Sequence, residues 1–173
     1  MSLRLARLVH WLCTALLVVL PIGALVLFVD IDRFAALASR HLNLPIQWHT
    51  VTTGQWYALW VTAILYAAIG YAGVVFLRRA FASFARGAWF DGENSRNLRV
   101  FSLLLVVQGI AKPVQFTLAG VLLSLNHPPG GKVLAISVGS DELTLVVSGM
   151  ILWVLSDLLV AGTRADAENR QFV

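Results

Sequence analysis

One long apolar stretch decides the fold of this chain. It reads Val100-Phe-Ser-Leu-Leu-Leu-Val-Val-Gln-Gly-Ile-Ala-Lys-Pro-Val-Gln-Phe-Thr-Leu-Ala-Gly-Val-Leu-Leu-Ser-Leu125. At 1.5 Å per residue a helix of this length spans about 39 Å, enough to cross the roughly 30 Å hydrocarbon core of a bilayer. A charged Lys112 in the middle of such a stretch is expensive in lipid, so it must face other helices or a polar cavity. The stretch therefore predicts a membrane helix with one polar face.

The composition extends this interpretation to the whole chain. The 173 residues are 58% hydrophobic and 13% charged, with a mean hydropathy of +0.78. Soluble domains carry about 25% charged residues, and here the apolar residues come in blocks. The net charge of +4 comes from arginines at the ends of these blocks, which is typical of membrane topology rather than of nucleic-acid binding. The length fits one membrane domain, residues 1–173, and the single Cys13 cannot form an internal disulfide.

Four apolar blocks predict four transmembrane helices, over about 8–29, 56–78, 99–125 and 143–163. The first block is longer than the apolar core of a signal peptide, which favours a membrane helix. Short connections favour antiparallel neighbours, so the predicted fold is an all-α, four-helix transmembrane bundle. Its connections are predicted to hold short interfacial helices, including one that contains Phe81 and Phe84, or a short extended segment over 133–138.

The distribution of lysine and arginine predicts the orientation of this bundle. Nine arginines lie in the N-terminus, the connection 78–99 and the tail 164–173, whereas the opposite connections hold only Arg33, Arg40 and Lys132. Both termini and the connection 78–99 are therefore predicted to face the cytoplasm, in a multi-pass protein of the bacterial inner membrane.

Two patches of the chain carry a family resemblance. The first is Arg86-Gly-Ala-Trp-Phe-Asp-Gly-Glu-Asn-Ser-Arg-Asn-Leu-Arg99, with the pattern residues Gly87, Phe90, Asn94 and Leu98. The second closes the fourth block and contains Asp157, Gly162 and the pair Glu168-Asn169. With these patches the chain resembles a bacterial family of small four-helix integral membrane proteins catalogued as a domain of unknown function.

The resemblance implies a fold and a membrane location but no established activity. Members of that family are often encoded beside very small helix-turn-helix regulators, which is a hint about a partner by association. The chain departs from the family at Asp157, where a glutamate is usual, and in the apolar residues 158–161, where the family is more charged.

Polar residues within the third block form the first candidate site. Gln108, Lys112 and Gln115 are spaced i, i+4 and i+7, so they share one face of the helix. Counted from the cytoplasmic ends of the blocks, Lys112 lies roughly 18 Å deep and Asp157 roughly 10 Å deep. We therefore expect Lys112 to pair with Asp157, with Gln108 bridging the two and Tyr66 near enough to join. The cluster either fixes helix packing or serves as a proton or ion relay or a polar ligand pocket.

The basic connection 78–99 forms the second candidate site. Its residues are predicted to contact anionic lipid or to dock a cytoplasmic partner, and they are Arg78, Arg79, Arg86, Trp89, Phe90 and Asn94. Asn94 or Asp91 is also expected to cap the third helix by accepting a backbone N–H.

The residues indicate no catalytic chemistry. The chain has no phosphate loop, no Cys-X-X-Cys and no evident nucleophile with a base, and its four histidines match no metal-binding spacing. We therefore expect neither an enzyme nor a cofactor nor a metal site. The leading functional hypothesis is a membrane sensor or regulatory module that binds a soluble cytoplasmic partner, without direct contact to nucleic acid. A small homo-oligomeric transporter or channel is the alternative, and a structural subunit is a third.

Overall fold

The computed structural model describes residues 3–29, 36, 46–87, 92–128 and 131–169, and for 27–29 and 163–169 it describes the backbone alone. Four helices make up most of it: α1 spans Leu3–Val29, α2 Thr53–Ala85, α3 Gly92–Ser124 and α4 Ser140–Asn169. A single 3₁₀ turn, Trp48–Thr50, precedes α2, and no strand occurs in the described ranges. The predicted all-α fold with four helices is confirmed.

Each of the four helices is long and apolar enough to cross a bilayer. The apolar spans are Leu3–Val26 in α1, all of α2, all of α3 and Ser140–Gly162 in α4. Both α2 and α3 have 33 residues, or about 50 Å, so each extends well beyond a hydrocarbon core of roughly 30 Å.

The separate interfacial helix predicted at Phe81 and Phe84 is wrong, because both residues belong to the last turns of α2. The reason is tertiary packing: Phe84 and Ala80 are buried against Ala6 of α1, so the end of α2 is covered and the helix continues. The expectations for Trp89, Phe90 and Asp91 fall outside the described residues, as does nearly all of residues 30–45, another connection in which a short interfacial helix was expected.

The helices pack extensively in chain order, α1 on α2, α2 on α3 and α3 on α4. Because neighbouring helices run antiparallel, their termini gather at two opposite ends of the bundle. At the basic end α1 and α3 begin while α2 and α4 end, and there Leu159 of α4 packs against the cluster of Ala6, Ala80 and Phe84. At the loop end, Leu59, Ala119 and Leu123 are buried beneath the side chains of 46–56.

Two glycines let α3 and α4 approach closely. A Cβ atom on Gly149 would lie 2.8 Å from the carbonyl oxygen of Ser102 and 2.7 Å from Val106 Cγ2. A Cβ atom on Gly109 would lie 2.9 Å from the carbonyl oxygen of Glu142. Small residues serve this purpose between membrane helices, where dispersion contacts replace the hydrophobic effect. These reciprocal contacts fix the antiparallel alignment of α3 and α4.

The face of α2 predicted from Gly70 and Gly73 packs against α3. A Cβ atom on Gly70 would lie 2.8 Å from the Gln108 side chain, and one on Gly73 would lie 3.6 Å from the ring of Phe101. Gly70 therefore leaves the room that the Gln108 side chain occupies.

Residues 131–139 are non-helical and run alongside α3. The Val133 N–H donates to Ser124 Oγ at 2.9 Å, and Thr117 Oγ1 donates to the Ala135 carbonyl at 3.0 Å. This is the region in which an extended segment was expected. Its partner proves to be the loop-end half of α3.

Candidate functional site

A hydrogen-bonded network surrounds Gln55 at the loop end. Gln55 Oε1 accepts hydrogen bonds from the Thr52 N–H at 2.7 Å, from Thr52 Oγ1 at 2.9 Å and from Asn126 Nδ2 at 2.9 Å. Its Nε2 donates to the Leu122 carbonyl at 2.7 Å. Gln55 is buried, so one side chain joins the start of α2 to the end of α3.

His127 makes a second link at the same end. Its Nε2 accepts from the Gln47 N–H at 3.1 Å, while Nδ1 lies 2.8 Å from the Gly131 carbonyl. A ring that accepts at Nε2 and donates at Nδ1 is the neutral tautomer, as these two partners assign it. His127 is buried, and with both ring nitrogens bonded it ties the connections on either side of the α2–α3 pair.

Lys112 forms an ion pair with the first turn of α4. Its Nζ lies 2.8 Å from Glu142 Oε1 and 3.5 Å from Asp141 Oδ2. The other carboxylate oxygen of Glu142 accepts from the Gly139 N–H at 2.6 Å. Glu142 thus satisfies a backbone donor at the α4 N-terminus, where the helix dipole favours negative charge.

Asp157 pairs with Arg99 instead, at 3.1 Å, so the predicted pairing of Lys112 with Asp157 is wrong. Arg99 and Lys112 are 13 residues apart on α3, which separates the two ion pairs by about 20 Å. The error came from aligning the apolar blocks at a common level. With Asp157 opposite Arg99, Gly162 lies level with the first turn of α3 rather than with Val100.

The rest of the predicted polar cluster is distributed over two surfaces. Gln108 packs on Gly70 of α2. Gln115 and Tyr66 line a groove between α2 and α3, with a volume of about 410 Å³. The structure therefore places Tyr66 and Gln115 along the same groove, whereas Lys112 and Asp157 belong to two separate ion pairs between α3 and α4.

The basic end carries a strong excess of positive charge. Seven exposed arginines cluster there, and they are Arg4, Arg7, Arg78, Arg79, Arg86, Arg96 and Arg99. Among the described side chains of this end, the acidic ones are Glu93 and Asp157. Exposed charge of one sign at a membrane-protein end attracts anionic headgroups or an acidic protein surface.

Beneath these arginines, Asn94 is fully buried, yet neither its Oδ1 nor its Nδ2 has a hydrogen-bond partner among the described residues. The expectation that Asn94 caps α3 is therefore wrong, because its side chain accepts no backbone N–H. It lies in the first turn of α3, with Ser95, Asn97 and Leu98 also buried. A buried carboxamide without partners costs about 1–3 kcal/mol, so this end of the bundle carries a local energetic penalty.

Two pairs of site residues missed by sequence reasoning had readable signals. Thr52-Thr-Gly-Gln55 fits the capping-box pattern, and the structure forms that capping box at the start of α2. Asp141 and Glu142 stand just before the fourth apolar block, which is typical of a helix N-terminus. His127 had no such signal, because its partners lie 80 residues away and four residues ahead.

The four membrane-length helices, with exposed apolar flanks and polar groups gathered at the two ends, define a multi-pass α-helical membrane protein. The model of a family described as "Protein of unknown function (DUF2975)" matches residues 40–172, and the chain belongs to that family. The resemblance predicted from the two sequence patches is thereby confirmed. No curated protein and no solved structure matches the chain.

Proposed function

We propose that this protein is a membrane-anchored regulatory module that holds a soluble, acidic protein at its basic end. In this proposal the basic end faces the cytoplasm of a bacterial cell and the four helices anchor it in the inner membrane. A small helix-turn-helix regulator is the partner that the family resemblance implies.

The charge imbalance of the basic end carries the proposal. Seven exposed arginines face two acidic side chains among those described at this end, and one of the two, Asp157, is already paired with Arg99. Such a surface steers an acidic partner by long-range attraction and fixes its orientation through rim contacts. Arginine is well suited to this task because its guanidinium binds a carboxylate through two parallel hydrogen bonds.

Three of these arginines are held in place by contacts with neighbouring side chains, in one case across to α1. Arg78 Nε donates to Thr14 Oγ1 at 3.0 Å, and an Arg86 guanidinium nitrogen donates to Ser83 Oγ at 3.0 Å. Arg79 lies over the ring of Phe76, with 5.5 Å from the guanidinium carbon to the ring centroid. A side chain that is already ordered loses less entropy on binding, so these contacts favour a docking role.

The arrangement of charges inside the bundle gives less support to a transporter. A relay needs groups that exchange protons or ions over short distances, but Lys112 and Asp157 belong to ion pairs about 20 Å apart. Between those pairs, α3 and α4 approach through Gly109 and Gly149 and leave little space. The contacts therefore favour a packed anchor with a functional end over a conducting path.

The test is affinity capture of the full chain from native membranes in mild detergent. The charge variant changes Arg79, Arg86 and Arg96 to glutamine, and the matched control changes the exposed Lys132 of the loop end to glutamine. We expect the wild type and the control to retain one stoichiometric acidic soluble protein. The charge variant should lose it, and raised salt should release it because exposed charges are screened.

The proposal is refuted if the captured protein is retained equally by the charge variant, or if all three forms elute without a soluble companion. Circular dichroism of each purified variant shows whether the helices are intact, so that loss of capture is attributable to charge.

A further inference from the structure

The segment that precedes α4 runs in an extended conformation along α3. At its start the Val133 N–H donates to Ser124 Oγ. At its end the Gly139 N–H donates to Glu142, which in turn pairs with Lys112. Ser124 and Lys112 are twelve residues apart on α3, a rise of about 18 Å, and six residues of the segment cover that distance. About 3 Å per residue is close to the roughly 3.3 Å of a β-strand.

Part of this segment lies within the hydrocarbon core of the bilayer. The exposed Arg78 of α2 and Arg99 of α3 mark one boundary of the core, because exposed charge is costly in lipid. A core of roughly 30 Å then covers about twenty residues of each helix. It ends near Ala119 on α3 and beside the aromatic residues that open α2. Thr117 bonds to the Ala135 carbonyl, so the segment beyond Ala135 is inside the core.

The backbone groups of Leu134 and Ile136 point away from α3. In a strand the N–H and C=O of one residue lie on one side and those of the next residue lie on the other. The backbone groups of Val133 and Ala135 bond to α3, so those of their neighbours face outward. These outward groups make no hydrogen bond within the described part of the chain. Lipid cannot supply one, so another polar partner must.

The side chains of the segment favour protein over water as that partner. Leu134 is 73% exposed, Ile136 is 75% exposed and Val138 is exposed as well, so an apolar surface surrounds the outward backbone groups. Non-helical backbone at membrane depth is tolerated where it lines a water-filled cavity or where protein covers it. An apolar surface does not hold water, so the cover is a polypeptide that offers backbone donors and acceptors along an apolar, extended edge.

We propose that residues 134–138 pair with the same residues of a second copy of the chain, as an antiparallel two-stranded ribbon. The two-fold axis passes through Ile136, which then lies opposite Ile136 of the other copy. Leu134 of one copy lies opposite Val138 of the other. In this register the residues that exchange hydrogen bonds are those whose backbone groups face outward, and both copies use the same surface.

Charge complementarity favours a second copy in this register. Lys132 is exposed, and in the ribbon it lies beside Asp141 of the other copy. The Asp141 side chain is 81% exposed despite its contact of 3.5 Å with Lys112, so it is open to a second cation. The two-fold axis repeats this ion pair at both ends of the ribbon. A shift of two residues would instead place Lys132 opposite Val138, or opposite Glu142, which is buried and already paired.

Cysteine cross-linking of the full chain in native membranes tests this proposal, with the buried Cys13 changed to alanine. Ile136→Cys should form a covalent dimer on mild oxidation, because directly paired residues have Cα atoms about 5.5 Å apart, within the range of a disulfide. Leu134→Cys and Val138→Cys should each fail alone, since four residues, or about 13 Å, separate the two equivalent positions. Copies carrying these two different changes should cross-link when they are co-expressed. Met150→Cys, exposed on α4, measures random collisions.

Charge reversal sharpens the result. Lys132→Asp should reduce the yield of the Ile136→Cys dimer about fivefold, and adding Asp141→Lys should restore it. All the changed positions of the segment are exposed, so the fold should be retained, and circular dichroism checks this. Three results would each overturn the proposal. They are an Ile136→Cys yield no higher than that of Met150→Cys, dimers of Leu134→Cys alone, and no recovery after the double charge reversal.

Discussion

The two ends of this molecule differ in how their buried carboxamide and imidazole side chains are bonded. At the loop end, Gln55 makes four hydrogen bonds and both ring nitrogens of His127 are bonded. At the basic end, Asn94 is equally buried and has no hydrogen bond within the described part of the chain. A fully satisfied buried network makes a region rigid, whereas an unsatisfied group lowers its stability. The loop end therefore holds α2 and α3 together through hydrogen bonds. The basic end is locally less stable, beneath a surface rich in arginine.

This difference agrees with the proposed division of roles. Binding surfaces tolerate local energetic penalties that purely structural regions do not, because selection acts on function above a stability threshold. The comparison also predicts that equivalent substitutions at the two ends have unequal effects.

The largest effect is expected from Gln55→Leu. The change removes four hydrogen bonds and leaves the Thr52 N–H and the Leu122 carbonyl without their partner. We expect a loss of about 2–4 kcal/mol in the free energy of unfolding. Thermal unfolding in detergent, followed by circular dichroism, measures it. An unchanged melting temperature would show that the hydrogen bonds of Gln55 do not hold α2 and α3 together.

Gly149→Ala tests the close contact of α3 and α4 between the two ends. The added methyl would lie 2.8 Å from the Ser102 carbonyl oxygen, a backbone atom that moves only if the helices separate. We expect a loss of about 1–3 kcal/mol. Gly54→Ala is the matched control, because nothing lies within 4 Å of its added methyl and alanine favours helix. Equal melting temperatures for the two variants would contradict the close packing.

The two ion pairs should also contribute unequally to the free energy of unfolding. The pair of Lys112 with Glu142 should contribute more than the pair of Arg99 with Asp157 at the basic end. Lys112→Met leaves Glu142, whose side chain is only 10% exposed, without its lysine partner. We expect a loss of about 1–2 kcal/mol in the free energy of unfolding. Arg99→Gln breaks a pair in which both side chains are about half exposed, and a change of less than about 1 kcal/mol is expected.

A double-mutant cycle in the same unfolding assay identifies the partner of Lys112. Lys112→Met should show coupling to Glu142→Gln and none to Asp157→Asn. Coupling to Asp157→Asn would restore the pairing that the sequence alone had predicted.

Asn94→Leu should have the smallest effect on stability, and of the opposite sign. Replacing an unpartnered carboxamide with an apolar side chain of similar size is neutral or stabilises by up to about 1 kcal/mol. We expect unchanged or higher thermal stability. A loss comparable to that of Gln55→Leu would mean that Asn94 has a partner and that the contrast between the ends does not hold.

The sequence predicted the fold more fully than the site. Four apolar blocks are enough to place four membrane helices, because lipid requires every backbone group to be bonded within its own helix. The helix ends were less predictable, since the burial of Ala80 and Phe84 against α1 carries α2 beyond Arg78.

The polar cluster was predicted in composition but not in geometry. The spacing of Gln108, Lys112 and Gln115 correctly marks polar positions on α3, yet the partner of each depends on how far the neighbouring helices slide along it. That displacement is set by the contacts of Gly109 and Gly149, which no periodicity in a single helix reveals. A two-turn error in register was enough to replace Glu142 by Asp157 as the expected partner of Lys112.

The most direct test of the central claim is the sidedness of the two ends. Single cysteines replace Arg96 at the basic end and Lys132 at the loop end, both exposed, in a chain whose buried Cys13 is changed to alanine. Intact bacterial cells with a permeable outer membrane are then treated with a membrane-impermeant maleimide. The account predicts that the cysteine at 132 reacts at once and that the cysteine at 96 reacts only after the inner membrane is opened. Immediate reaction at 96 would place the arginines outside the cell and contradict a cytoplasmic docking surface.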